Sequence, residues 1–105
     1  MRYRVTFSET ALLDIAEIRD WYAENGAAEV GLRLVAEVVQ HVETLEEHPD
    51  LGRVVPEFDQ TAIRELIHPP FRIVYRRGSI GARVVRVWRS ERLLRLPSET
   101  GEPGV

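Results

Sequence analysis

Side chains able to move a proton near neutral pH are few in this chain. His41, His48 and His68 are the only histidines among its 105 residues, and imidazole is the group whose unperturbed pKa lies in that range. His41 and His48 fall on, or at the end of, a helical stretch, where a histidine reads as a surface residue interacting with the C-terminal dipole. His68 precedes Pro69-Pro70 and could serve as a lone acid, but no Glu or second His stands at a spacing that would pair it. No His-x-x-x-His pair or carboxylate cluster suggests a metal. The absence of cysteine excludes disulfides and thiolate ligands. The residues therefore nominate no catalytic group, no metal and no cofactor.

Binding chemistry is better supplied. All 14 basic residues are Arg, against 17 Asp or Glu, for a formal net charge of −3. Residues 1–52 hold 4 Arg and 11 acids, whereas residues 53–95 hold 10 Arg and 4 acids. A composition bias of the whole proteome accounts for Arg in place of Lys, but not for this placement. Two oppositely charged halves within one domain point to a charged partner.

These side chains need a scaffold, and the apolar periodicity describes one. A chain of this length makes a single domain and buries roughly two-thirds of its unfolded surface; its 44% apolar content is ordinary for a globule. Tyr3, Val5 and Phe7 alternate with Arg4 and Thr6 as in a strand. Ser8 is placed to cap a helix, with Glu9 in its first turn. Ala11, Ile15, Ile18 and Tyr22 follow at helical spacing, with Trp21 and Tyr22 expected to help close the core, and Asn25-Gly26 supplies the stop. Ala28, Gly31, Val35, Val38, Val42 and Leu45 mark a second helix, ended by His48-Pro49. The short connection predicts an antiparallel hairpin, with Gly31 allowing close approach.

After a turn at residues 49–52, residues 54–59 could hold a short extended piece broken by Pro56. Strands are predicted at Ile63–Ile67, Phe71–Arg76 and Arg83–Trp88, with breaks at Pro69-Pro70 and residues 78–81. The result is an α+β domain, β-α-α-β-β-β, with a two-helix hairpin packed on one face of a mainly antiparallel, twisted sheet. Residues 1–96 are expected to form that domain, and 97–105, rich in Pro, Gly, Ser and Thr, a disordered tail. The N-terminus lacks a signal-like apolar block, and no run approaches ~20 apolar residues, so a soluble, cytoplasmic chain with no membrane contact is expected.

Strand alternation then sorts the arginines. If Phe71, Ile73 and Tyr75 face the helices, Val85 and Val87 are their natural match. Arg72, Val74, Arg76, Val84, Arg86 and Trp88 would share the opposite face, joined by Arg64, Leu66 and His68 if Ile63 and Ile67 also face the helices. Like charges opposite one another in a sheet repel. Such a face is expected either to meet an acidic partner, through Arg72 and Arg86 above all, or to be answered by Glu57, Asp59 or Glu65 of the chain itself.

Three ordered stretches carry a resemblance. They are Ile63-Arg64-Glu65-Leu66, then Phe71-Arg72-Ile73-Val74-Tyr75-Arg76, then Val84 through Arg92. With Phe7-Ser8-Glu9-Thr10-Ala11, Asp14-Ile15, Ile18, Leu45, Pro49, Gly52 and Arg53, this order resembles the ParE branch of the ParE/RelE toxins of type II toxin–antitoxin systems. Each piece is weak alone; the ordered set, from about Tyr3 to Arg92, is specific. The resemblance implies a cognate antitoxin partner and a possible toxin–antitoxin hetero-oligomer; strand phase and the segment past the last strand make Arg64, Arg72, Arg76, Arg86, Trp88, Arg89 and Arg92 the candidate contacts.

The family divides by target. Members resembling RelE cut mRNA in the ribosome, which requires a base for the ribose hydroxyl, cations at the phosphate and an acid for the leaving oxygen. They supply these from Lys and Arg clusters, or a Glu, with a His or Tyr ending the last strand. Here that place reads Trp88-Arg89-Ser90-Glu91-Arg92, and a guanidinium is too basic to donate readily. An acidic chain also suits ribosomal RNA poorly. The resemblance therefore implies the other branch, with DNA gyrase as target and no enzymatic activity; a ribosome-dependent endoribonuclease and a non-toxic antitoxin binder are the alternatives.

Overall fold

The computed structural model of the chain describes residues 3–90. Strand β1 (Arg4–Phe7) leads into helix α1 (Glu9–Glu24) and helix α2 (Ala28–Glu43). A 3-10 turn (Thr44–Glu46) and strands β2 (Arg53–Val54), β3 (Ile63–His68), β4 (Phe71–Arg77) and β5 (Gly81–Arg89) follow. Ser8 caps α1 as its position demands, its Oγ accepting the Ala11 N–H at 3.0 Å. Gly26, with a φ of 76°, turns the chain between the helices. A Cβ at residue 31 would stand 2.7 Å from the Cβ of Tyr22, so only Gly admits this approach of α2 to α1.

The five strands lie in the order β1-β5-β4-β3-β2, antiparallel except for the parallel pair β1–β5. The one addition to the expected strand set is slight: β2 is two residues long and ends before Pro56. The main core packs Ala11, Val38, Val42 and Leu45 against Leu66, Phe71, Ile73, Tyr75, Val84 and Val87. Of the expected helix seam, Val38 and Val42 are buried, while Ile15, Ile18 and Val35 are partly exposed. Trp21 does not close the core. It is 49% exposed, its ring edge-on to Tyr22.

Two strand phases differ from expectation. Val84, not Val85, faces the helices, because a register shift between Val74 and Tyr75 pairs Val74 with Arg86 and Tyr75 with Val84. Val85 is the extra residue of that bulge, and it packs instead with Val55, Ile63, Val74 and Trp88 on the far face. In β3, Leu66 faces the helices, so Ile63 and Ile67 face away. Arg64 and His68 consequently lie on the helix side, opposite Tyr75 and Phe71. The strand offers apolar residues in both phases because the far face carries a small core of its own.

Candidate functional site

The far face centres on a buried acid. Glu65 is 1% exposed, and a buried carboxylate is tolerated only when paired and hydrogen-bonded. Arg53 Nε donates to its Oε2 at 2.7 Å and Arg72 Nε to its Oε1 at 2.6 Å. Both guanidinium groups also pair with it through Nη2. The Arg72 side chain is 13% exposed and has Glu57 at 3.9 Å. The carboxylates expected from an acidic partner are therefore already present at Arg72, supplied by the chain.

Arg86 is answered in the same way by a helix. Beyond Phe7, the last β1 residue paired to it, β5 has an open edge, which α1 covers. Asp14 takes the Val87 N–H at 2.9 Å, Arg86 Nε at 2.8 Å and Arg86 Nη2 at 3.2 Å. That bidentate pair pushes the Arg86 guanidinium further above its already high pKa. Trp88 is half-buried, with Arg86 stacked over its ring at 4.8 Å. Arg89 turns to α1, donating to Tyr22 Oη at 3.2 Å and lying 4.9 Å from the centre of the Trp21 ring. Arg64 lies across the sheet, donating to the Gly52 carbonyl at 3.0 Å near Asp50 at 3.7 Å. Arg92 falls outside the described residues.

Arg76 is the exception among these. It is exposed, directly opposite Arg83 on β5 and Ile63 on β3, and has no carboxylate partner among the described residues. Arg83 reaches only the Thr6 hydroxyl, at 3.2 Å. The predicted site residues thus do not form one surface: Arg72 and Arg86 are held, Arg64 and Arg89 lie on the helix side, and Arg76 stands open.

The fold also joins histidines that the sequence kept apart. His41 Nδ1 lies 3.0 Å from His68 Nδ1, and Glu37 approaches His68 Nε2 at 3.7 Å. His68 is therefore not a lone group: α2 brings it both a carboxylate and a second imidazole. Burial, reinforced by the neighbouring His68, lowers the pKa of His41 below its ordinary 6.5. Among the described residues, no group of three or more His, Cys, Asp or Glu could hold a metal ion.

The family model for the ParE toxin of type II toxin–antitoxin systems, parDE, matches residues 5–94. The chain belongs to the ParE toxin family. Solved structures agree on the fold. The chromosomal ParDE toxin–antitoxin system from P. aeruginosa superposes with a TM-score of 0.70 at 22% identity, covering 83% of this chain and 95% of that one. The toxin–antitoxin complex RelBE2 from Mycobacterium tuberculosis gives 0.63 at 19% identity, covering 85% and 99%. A mutant of the E. coli toxin RelE in the free state gives 0.63 at 15% identity, covering 88% and 87%. No curated protein matches the chain by sequence.

Sequence reasoning missed Asp14 and named Glu65 only as one of three acids that could answer the arginines, without its burial. Asp14 lies three residues after Ala11, on the buried stripe of α1, and an acid there signals a fixed cation or an N–H to satisfy. Glu65 interrupts an otherwise apolar strand core, which carries the same signal.

Proposed function

We propose that this chain is the toxin of a type II pair, acts by inhibiting DNA gyrase, and is silenced by a cognate antitoxin. The observation that carries the reading is the state of the arginines. Cleaving a phosphodiester needs cations and a proton-transfer pair at the same phosphate. Here Arg53 and Arg72 are both held by Glu65, and Arg86 by Asp14. The one proton-transfer pair among the described residues favours the ribonuclease alternative, because His41 and His68 are in hydrogen-bond contact. Yet His68 lies on the helix side of β3, and Arg72, Arg76 and Arg83 on the far side. The sheet separates those three from the histidines, and the helix-side Arg64 and Arg89 are engaged by the Gly52 carbonyl and by Tyr22.

An antitoxin partner is supported by apolar side chains that the helical hairpin leaves exposed. Leu12 and Leu13 of α1 and Leu32 of α2 are more than half exposed, and apolar anchors of this kind are what protein interfaces bury. The test is controlled expression in bacteria with and without the antitoxin gene. The toxin alone should raise DNA-damage signalling while protein synthesis continues at first, and the antitoxin should suppress it. Immediate collapse of translation with no damage signal would favour the ribonuclease alternative.

A further inference from the structure

The gyrase reading leaves open which atoms of an enzyme–DNA complex the toxin touches. We infer that Arg4, Arg76 and Arg83 form a binding site for the phosphodiester backbone of duplex DNA. This deepens the proposed function and rests on it for its biological setting, though not for its geometry.

The three side chains line a shallow depression of about 270 Å³ at one end of the far face, together with Thr6, Gly78 and Ile80. Register places them there: Arg76 stands opposite Arg83, Thr6 beside Arg83, and Arg4 beside Gly81. Cross-strand neighbours on one face have Cβ atoms roughly 5 Å apart, so Arg76 and Arg83 repel each other, and no acid among the described residues pairs with either. On the other side of the same strand the pattern is reversed, since Arg77 donates to Asp50 at 2.7 Å. The chain neutralises the neighbouring guanidinium and leaves this group open.

The depression is built firmly. Tyr3 Oη donates to the Gly78 carbonyl at 2.8 Å, and the Arg4 N–H to the Ile80 carbonyl at 3.2 Å. These bonds pin the β4–β5 turn to β1. A Cβ at residue 81 would lie 2.6 Å from the Arg4 carbonyl oxygen. Glycine at 81 therefore lets β1 close on the turn, which sets Arg4 diagonally from Arg83 on the same face.

Several features choose phosphate over an acidic protein. A volume near 270 Å³ falls below the ~300–1,000 Å³ typical of a small-molecule cleft, yet it admits a phosphate between guanidinium forks. A protein interface centres on Trp, Tyr or Arg packed into desolvated pockets, so its open arginines would want an aromatic anchor beside them. None lines this depression, where Ile80 is the exposed large apolar side chain. Such anchors are on the helical hairpin instead. Protein–DNA surfaces are strongly positive, and three guanidinium groups with no carboxylate partner among the described residues make this end of the sheet so.

The experiment is a titration of the ¹⁵N-labelled full chain with a short DNA duplex, followed by NMR at several salt concentrations. The expected shifts cluster at Arg4, Thr6, Arg76, Ile80 and Arg83. The slope of log affinity against log salt should be about −2.7 for three phosphate contacts. An Arg76→Ala/Arg83→Ala variant, checked for an unchanged fold by its spectrum, should bind at least about tenfold more weakly, with a slope near −0.9. Arg33→Ala, which removes one helical cation, should bind within about twofold of the wild type. Shifts confined to other residues, or a double variant that binds like the wild type, would overturn the site. A polyglutamate peptide that takes the depression while the duplex does not would overturn it in favour of an acidic protein. Gyrase is absent throughout, so binding of duplex by a protein that leaves gyrase untouched would defeat the target reading alone.

Discussion

Arg72 and Arg76 stand on one strand, four residues apart, on the same face of the sheet. Arg72 is held by Glu65 and nearly covered, whereas Arg76 is exposed and faces another arginine. Glu65 lies directly across from Val74, and so stands diagonally from both. Diagonal cross-strand neighbours are roughly 7–8 Å apart, within reach of either long side chain. The carboxylate has two oxygens, and Arg53 from β2 and Arg72 occupy them. Arg76 is left with Ile63 on one side and Arg83 on the other. Strand alternation assigns a side chain to a face; the neighbouring strands decide whether its charge is spent on the fold or kept for a partner.

Removing the acids should break this contrast. Glu65→Ala leaves the mostly buried Arg72 with only the distant Glu57, which is expected to cost roughly 3–5 kcal/mol in urea unfolding. Asp14→Ala strands the buried Val87 N–H while the partly exposed Arg86 turns to water, so a smaller loss of about 1–3 kcal/mol is expected. Arg76→Ala should stay within about 0.5 kcal/mol of the wild type. Equal losses for Glu65→Ala and Arg76→Ala would show that the two arginines are not differently employed.

The smallest effect is one of pH. The unfolded chain protonates His41 near 6.5, whereas the folded chain, with this pKa lowered, resists protonation. The unfolded state therefore binds more protons in that window, and stability falls as pH drops through 6.5 toward the folded value. Above 6.5 the group is neutral in both states and contributes no slope. Thermal unfolding between pH 7.5 and 5.5 should show a slightly lower midpoint on the acid side, and His41→Gln should flatten it. An undiminished slope in that variant would locate the effect elsewhere.

Much of the frame was legible in the sequence because local signals agreed. Ser8, the 3.6-residue spacing from Ala11 to Leu45, Gly26 and the paired prolines each mark an element that the structure contains. The phase of β5 was not legible, because Val84 and Val85 are equally apolar and a one-residue bulge decides between them. In β3, Ile63 and Leu66 are both buried, against different cores, so neither phase was favoured by burial alone. The facing of Arg72 and Arg76 was read correctly, and Glu57 and Glu65 were named among the acids that could answer them, but which arginine they would hold was not legible. Glu65 reaches Arg72 only after a proline-containing turn folds β3 onto β4. His41 and His68 are 27 residues apart and meet only through the packing of α2 on the sheet; no local spacing encodes that pair.

The central claim, that this ParE-family chain acts on gyrase rather than on mRNA, is tested most directly with purified components. The wild-type protein is added to gyrase with relaxed plasmid and, separately, to ribosomes stalled on a defined mRNA. Inhibited supercoiling with accumulation of cleaved, gyrase-linked DNA, and an intact mRNA, is the predicted result. Cleavage of the mRNA at ribosome-bound codons, with supercoiling unaffected, would contradict the account.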